Sequence, residues 1–223
     1  MARSKEFDPD SALDRGLQLF WTRGYEATSL DDLLRGMALS KSSFYETFGS
    51  KHAFLLASMD RYIARVVEAL ARDLETGDAE AAIAKAFLQL LEPGAPVGGC
   101  FIHNCAIELA GDDAAARERV RRGLERLERG FESAIRRGQE AGHFREDCDA
   151  RTLATFLSGN IFGFHVQVRA RSPAEHLKAV LSVVLSALRS GGSTAHLTKR
   201  GARHGERRTA GSARGKSGSR RHR

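Results

Sequence analysis

Three short amphipathic segments within residues 16–62 constrain the fold of this chain more than any other feature. A tight glycine turn at Gly24 separates the first two segments, and a turn of small residues at 36–39 separates the second from the third. Helical segments joined by turns this short are typical of a helix-turn-helix unit. The stretch therefore predicts such a unit near the start of the chain.

The first two segments carry the signals that start and stop helices. Asp8 is a good N-cap, and Gly24 is a natural C-cap. Pro9 sits at the first helical position, where its missing N–H costs no hydrogen bond. The second segment opens at Thr28 or Ser29, and either residue finds an acid three positions on, as in a capping box. Apolar residues at helical spacing give each segment one buried face, predicted as Leu13, Leu17 and Phe20 in the first and Leu30, Leu33, Leu34 and Met37 in the second.

The third segment, residues 40–48, is too short to be stable alone, and only Phe44 and Phe48 are spaced to anchor it in a core. Its other faces carry small hydroxyl side chains, a lysine and a tyrosine. Short donors and exposed N–H groups at a helix N-terminus can approach bases and phosphates closely. The segment therefore predicts a helix that enters the major groove of DNA.

The motif F-W-x-x-G-Y-x-x-T-S-L-x-D-L, followed by S-x-S-S-F-Y-x-x-F-G-S-K, resembles the N-terminal domain of TetR/AcrR-family transcriptional regulators over residues 10–62. The resemblance implies an all-α homodimer. It implies a three-helix helix-turn-helix domain at residues 1–50 and a helical effector-binding and dimerisation domain at residues 51–190. By this resemblance Thr28, Tyr45 and Lys51 contact phosphates. The complete set of predicted DNA-contacting residues is Thr28, Ser29, Ser40, Lys41, Ser42, Ser43, Tyr45 and Lys51.

Several of these residues also have a purely structural interpretation. Thr28 can cap a helix without DNA, Tyr45 can cover the edge of the core, and Lys51 can be a solvated lysine. Trp21, which lies in the first motif, is assigned to packing. These alternatives stay open at the level of the sequence.

The net charge of +7 is concentrated at the C-terminal end. Residues 191–223 hold ten Lys or Arg and one acid, so the remaining chain is close to neutral. This tail is rich in Gly, Ser, Arg and His and is predicted to be disordered. It either adds salt-sensitive contacts to DNA phosphates or is a solubilising extension.

Other classes of protein are disfavoured by what the sequence lacks. It has no apolar run of membrane-spanning length, and its first ten residues lack the apolar core of a signal peptide, so we expect a cytoplasmic protein without membrane partners. Cys100, Cys105 and Cys148 are expected to be reduced thiols. The absence of a P-loop, a nucleophile elbow, a paired-cysteine zinc pattern and a dinucleotide fingerprint predicts no enzyme, no cofactor and no metal.

Beyond the helix-turn-helix, breaks at Gly, Pro and Ser residues predict six further helices at 51–74, 79–91, 100–110, 112–141, 149–169 and 173–189. The segments 153–168 and 179–188 are apolar nearly all round, with small residues interleaved in the first of them. Such helices need burial on more than one side. They predict a four-helix dimer interface, with an all-round buried monomer core as the alternative.

The stretch 99–109 resembles one branch of the family, in which some members sense electrophiles through the matching cysteine. That resemblance would make Cys100 a sensor, and a helix N-terminus can lower a thiol pKa. Buried cysteine is also commonly a small core residue. Cys100 and His103 share a helix face, but Cys105 lies about 140° round the helix from Cys100, so a metal site there would need a ligand from another element. The candidate effector-pocket residues are Cys100, His103, Asn104, Phe162 and His165.

The predicted function is a sequence-specific transcriptional regulator, a homodimeric repressor that an unknown small-molecule effector releases from a palindromic double-stranded DNA operator. A thiol-based electrophile or redox sensor is a variant of the same regulator. The rival prediction is a nonspecific, chromatin-like DNA-binding protein whose binding is dominated by the basic tail. The specific motifs in residues 16–62 favour the first.

Overall fold

The computed structural model describes residues 7–93, 95 and 98–189, and these residues fold into helices. Within those ranges, the pairing of Phe144 with Arg189 is an isolated bridge and no strand forms. The predicted all-α class is confirmed. Over the same ranges, no helix combines the length and the apolarity that crossing a bilayer requires. The basic tail, and the predictions made for it, lie outside the described residues.

The DNA-binding unit consists of α1 (Pro9–Arg23), α2 (Leu30–Met37) and α3 (Lys41–Phe48). Asp8 caps α1 as predicted, because its carboxylate accepts the backbone N–H groups of Asp10 and Ser11. The end of α1 at Gly24 is also as predicted.

Ser29, and not Thr28, is the N-cap of α2. The Ser29 hydroxyl oxygen accepts the Asp32 N–H at 3.1 Å, and the Asp32 carboxylate accepts the Ser29 N–H at 3.0 Å, which completes a capping box. Hydrogen bonds to its carboxylate from the Ser29 hydroxyl, from the Arg35 guanidinium and from the Ser29 N–H lower the pKa of Asp32 to about 2. Thr28 is fully buried, and its hydroxyl donates to the Gly24 carbonyl at 2.6 Å. The sequence pattern could not choose between the two caps because both have an acid three positions on.

An aromatic cluster anchors α3. The rings of Phe20, Phe44 and Phe54 are almost fully buried, and the Phe54 ring lies 5.7 Å from Phe20 and 5.5 Å from Phe44 between centroids. Phe48 packs edge-on against Phe54 at 4.7 Å. A helix too short to be stable alone is therefore held by rings from α1 and from the helix that follows it.

The helix predicted over residues 51–74 has the expected extent and an unexpected interruption. It runs as α4 (Lys51–Tyr62), a π-helical turn (Ile63–Val67) and α5 (Glu68–Leu74) without a break, and we call the whole the long helix. Single π turns inside α-helices occur often at functional sites. Apolar periodicity does not reveal such a turn, because it changes the register of the helix by only one residue.

The remaining helices follow the predicted order. They are α6 (Ala79–Leu88) with a 3-10 turn (Gln89–Leu91), α7 (Phe101–Leu109), α8 (Ala114–Glu140), α9 (Ala150–Arg169) and α10 (Ala174–Ser186). The central helix α8 packs against α5, α6, α7 and α9.

Ion pairs hold the long helix on α8 at both sides of its π turn. Arg119 binds Asp60 at 3.1 Å on the N-terminal side. Arg126 binds Glu68 at 2.9 Å and Glu75 at 2.8 Å on the C-terminal side, and its guanidinium is mostly buried. Among the described residues, the segment 61–67 between these anchors makes no ion pair to α8, and its arginines, Arg61 and Arg65, pair instead with Asp14 of α1.

Candidate DNA-binding surface and ligand cavity

A cluster of serines forms the N-terminal end of α3. The Ser40 hydroxyl oxygen accepts the Ser43 N–H at 3.1 Å and lies 3.0 Å from the Ser42 hydroxyl and 2.9 Å from the Ser43 hydroxyl. Ser40, Lys41 and Ser42 are exposed. These groups offer several small donors and acceptors at the positive end of a helix dipole, an arrangement that suits contact with DNA.

Two further predicted contact residues are held in place by aromatic rings. Tyr45 is 45% exposed, and its ring packs edge-on against the buried Phe44 at 5.7 Å. The Lys51 ammonium lies 4.2 Å from the centroid of the Tyr25 ring, a cation–π contact that limits its motion. Both side chains are therefore accessible and preoriented beside α3.

The structure places Thr28 and Ser29 differently from the rest of the predicted set. Thr28 is buried, so a phosphate contact by its side chain requires the α1–α2 turn to move. Ser29 is exposed, but its hydroxyl already donates to the Asp32 carboxylate at 2.6 Å. DNA contact by all eight residues stays a prediction.

A cavity of about 360 Å³ lies between the DNA-binding unit and the helices that follow it. Cys100, Phe162 and His165 line this cavity, as do Trp21, Tyr62 and Val67. The wall also includes Val66, Ala69, Leu70, Asp73, Gln89, Leu90, Ala95, Gly99, Leu127, Ile161 and Val168. The π turn of the long helix thus forms part of the wall.

The other two pocket candidates, His103 and Asn104, are not among the residues that line the cavity. His103 stacks on the ring of Phe162 at 4.9 Å, with an angle of 17° between the planes. The Asn104 amide donates to the Gly98 carbonyl at 2.8 Å and so braces the loop before α7. Their part in ligand binding, like that of the three lining residues, stays a prediction.

The two histidines near the cavity are neutral at pH 7. Burial, with a smaller effect of His103, lowers the pKa of His165 to about 4. Burial also lowers the pKa of His103. The Asp73 carboxylate is half exposed and is paired with the Lys85 ammonium at 2.8 Å.

Cys100 occupies the N-cap position of α7, where a helix can lower a thiol pKa. Here burial raises the pKa of Cys100 more than hydrogen bonds from the backbone and from Tyr62 lower it, as befits a small core residue. Burial raises the pKa of Cys105 to about 12. No group of three His, Cys, Asp or Glu residues within the described ranges could hold a metal ion.

The assignment of Trp21 to packing is confirmed, because its side chain is only 8% exposed, but the sequence did not reveal which residues it contacts. Its indole N–H donates to the Gly99 carbonyl at 2.8 Å, and its ring packs edge-on against Tyr62 at 5.0 Å. A Cβ at Gly98 would lie 2.7 Å from the indole Cδ1, so this close approach requires glycine. Trp21 therefore belongs to α1 of the DNA-binding unit and to the cavity wall. Its partners lie 78 residues away in sequence or in another helix, and a local sequence pattern cannot predict contacts over such a separation.

Glu108 makes a second contact between the two parts of the chain. Its carboxylate accepts the backbone N–H of Tyr25 at 3.1 Å and that of Glu26 at 2.8 Å, in the α1–α2 turn. We call the Trp21–Gly99 contact and the Glu108–turn contact together the α7 clasp, because the nine residues of α7 join them. One end of α7 thus meets the cavity wall, and the other end holds the turn that leads into α2.

Comparisons with known proteins agree with this architecture. The family described as "Bacterial regulatory proteins, tetR family" matches residues 12–58, and "Tetracyclin repressor-like, C-terminal domain" matches residues 79–184. The chain is 31% identical over 192 residues to the HTH-type transcriptional repressor ComR of Escherichia coli, covering 82% of this chain and 90% of ComR.

Two solved structures share the fold. A cysteine mutant of the TetR family transcriptional regulator CifR, complexed with 26-bp double-strand operator DNA, is 29% identical with a TM-score of 0.73, covering 84% of this chain and 100% of that chain. The reduced form of NemR from Escherichia coli also has a TM-score of 0.73, at 23% identity, covering 82% of this chain and 98% of that chain.

The α7 clasp leads to a first prediction. Replacing Glu108→Ala removes the acceptor of two turn amides, so we expect faster hydrogen exchange at Tyr25 and Glu26 and a loss of about 1 kcal/mol in the free energy of unfolding. Exchange followed by NMR and thermal unfolding measure both. Glu146→Ala, at an exposed loop position, is the control. Unchanged exchange at both amides would show that the carboxylate does not hold the turn.

Proposed function

This chain belongs to the TetR family of bacterial transcriptional regulators, and on that premise we propose that it is a homodimeric repressor which a small molecule releases from a palindromic operator. The observation that carries the proposal is the α7 clasp, which joins the wall of a ligand-sized cavity to the DNA-binding unit. Two relatives support it by what they do. ComR is named a repressor, and CifR is solved in complex with operator DNA.

For DNA recognition, α3 enters the major groove with its serine cluster toward the bases. Tyr45 and Lys51, at the edge of the same surface, contact phosphates on either side. Two such units read half-sites in successive major grooves, about 34 Å apart. A two-fold symmetric protein of this kind selects a near-palindrome.

For dimerisation, α9 and α10 provide the interface. Phe156, Gly159, Gly163 and Val166 follow one another at helical spacing on the solvent side of α9, with Val166 55% exposed. No atom lies within 4 Å of a Cβ built at either glycine, so a partner helix can approach closely. On α10, Val183 is 67% exposed. These faces lie outside the monomer core, which favours the dimer over the alternative of all-round burial in one chain.

For release, the ligand acts by a difference in its affinity for two conformations of the dimer. A molecule in the cavity touches the π turn of the long helix and Trp21, and so changes how α1 sits on α7. The thiol-sensing variant has less support, because Cys100 is buried and its pKa is raised. Tail-dominated nonspecific binding has no observation in its favour among the described residues.

The experiment that tests this function is selection from random duplex DNA at physiological salt, by the full-length protein and by a variant ending at residue 190. We expect both to enrich the same palindrome, with half-sites about one helical turn apart. Enrichment of no sequence, with binding only by the full-length protein, would assign the function to the basic tail.

Substitutions on the DNA-binding surface separate phosphate contacts from base contacts. Lys51→Ala and Tyr45→Phe should weaken binding to all sequences, and Lys51→Ala should reduce the slope of log affinity against log salt by about one. Ser43→Ala should instead change the preferred base at one operator position by about 1 kcal/mol. Titration of operator and scrambled duplexes measures both effects, with Arg136→Ala on the surface of α8 as the control. Equal affinities for Tyr45→Phe and the unaltered protein would refute this docking of α3.

A charge on the exposed face of α10 tests the interface. Val183→Glu should convert the dimer to monomer, because pairing would bury two unpaired carboxylates. Analytical ultracentrifugation reports the state directly. The matched control is Ile107→Glu, which charges an equally exposed apolar side chain on α7 and should leave the dimer intact. A Val183→Glu protein that sediments as a dimer would place the interface elsewhere.

A further inference from the structure

The walls of the cavity are largely apolar. The aromatic rings of Trp21, Tyr62 and Phe162 contribute to them together with aliphatic side chains from the long helix, α8 and α9. At about 360 Å³ the cavity is near the small end of ligand sites, which suits a fragment-sized molecule better than a nucleotide cofactor. Contact with apolar surface therefore supplies most of the affinity.

The described lining residues of the cavity offer no unpaired charge. Asp73 contributes the single carboxylate among them, and the Lys85 ammonium neutralises it at 2.8 Å. Arg169 is exposed and is not one of the lining residues; its guanidinium donates to the Gly98 carbonyl at 3.3 Å. An ionised ligand would leave water without gaining an unpaired counter-ion, which is unfavourable.

Most polar groups of the wall are also engaged. The Trp21 N–H donates to Gly99, and the Tyr62 hydroxyl hydrogen-bonds with the Cys100 thiol. His165 and Gln89 are the lining side chains that can hydrogen-bond but make no such bond to another described residue. His165 is neutral at pH 7, so its ring offers one N–H donor and one nitrogen acceptor.

We propose that this cavity binds an uncharged, mainly apolar molecule with one hydroxyl or carbonyl oxygen, and that His165 orients the molecule by hydrogen-bonding that oxygen. The inference rests on the proposed function, which makes the cavity a ligand site. A ligand that covers the His165 ring displaces water from its nitrogens, and a ligand oxygen replaces the lost hydrogen bond while an alkyl group does not. His165 is thus the specificity-determining residue of the cavity.

The position of His165 connects this contact to release. A Cβ built at Gly99 would lie 3.7 Å from the His165 Cβ, so the two residues are neighbours in the cavity wall. Gly99 is also the acceptor of the Trp21 N–H. A ligand bound by His165 therefore occupies the same cavity that the Trp21 end of the α7 clasp lines.

The test uses Trp21, which is the single tryptophan of the chain and lines the cavity. Two matched series of ultraviolet-transparent probes vary the polar group on a fixed skeleton. The flexible series is decanol, decanoate and decyltrimethylammonium, and the compact series is adamantanol, adamantanecarboxylate and adamantyltrimethylammonium. Each is titrated at pH 7, below its micelle concentration, while Trp21 fluorescence is recorded.

We expect the alcohol of at least one series to bind about tenfold more tightly than both charged members, since it loses less hydration on entering the cavity. Tighter binding of a carboxylate or an ammonium probe would overturn the proposal. So would the absence of any fluorescence change with either alcohol.

Variants assign the hydrogen bond. His165→Phe should weaken binding of the alcohol about five- to tenfold, the loss of one hydrogen bond. His165→Gln, which keeps a neutral donor and acceptor, should restore it to within about threefold, which separates hydrogen bonding from misfolding. Gln89→Leu should weaken binding less than His165→Phe does, and His143→Phe, at an exposed position outside the cavity, should leave affinity unchanged. A loss in Gln89→Leu with none in His165→Phe would overturn the assignment to His165.

Failure here is distinguishable from failure of the proposed function. If DNA selection yields a palindrome and the alcohols do not bind, the repressor proposal is supported and the proposed ligand class is refuted. If the alcohols bind through His165 and no DNA sequence is selected, the proposed ligand class is supported and the repressor proposal is refuted.

Discussion

Two contacts from the ends of one nine-residue helix tie the DNA-binding unit to α7, in addition to its packing on the long helix. At the N-terminal end of α7, the Gly99 carbonyl accepts the Trp21 indole, and at the C-terminal end Glu108 holds the α1–α2 turn. Because an α-helix is stiff over about 14 Å, these contacts cannot move independently. The orientation of α3 therefore depends on a helix whose first turn borders a ligand cavity.

The cavity and the clasp share residues, and the proposed release by a ligand rests on this sharing. Trp21 lines the cavity and also makes one of the two contacts of the α7 clasp. The π turn of the long helix lies between ion pairs that hold the helix on α8 at both sides. A ligand that displaces Trp21 or the π turn therefore pushes against helices that are held in place by the ion pairs to α8. Small displacements at the wall are then passed to α1, because close-packed interiors transmit strain and do not absorb it.

Neutrality governs what the cavity can hold. The thiol of Cys100 and the imidazole of His165 are uncharged at pH 7 because burial disfavours their charged forms, and Asp73 is paired with Lys85. The same burial that makes Cys100 a poor thiolate makes the surroundings of His165 suitable for an uncharged ligand oxygen. The cysteine that suggests a reactive thiol in the sequence, Cys100, is thus part of an uncharged cavity wall in the fold.

The sequence by itself determined the class of fold, the order and extent of the helices, and the aromatic anchors Phe44 and Phe48 of α3, because capping and periodicity are local properties. It also singled out Cys100, Phe162 and His165, which line the cavity. Only the tertiary structure decided between Thr28 and Ser29 as cap, the direction of the Cys100 pKa, and the ties made by Trp21 and Glu108. Burial and hydrogen bonds across about 80 residues depend on which helices meet, and no local pattern encodes that.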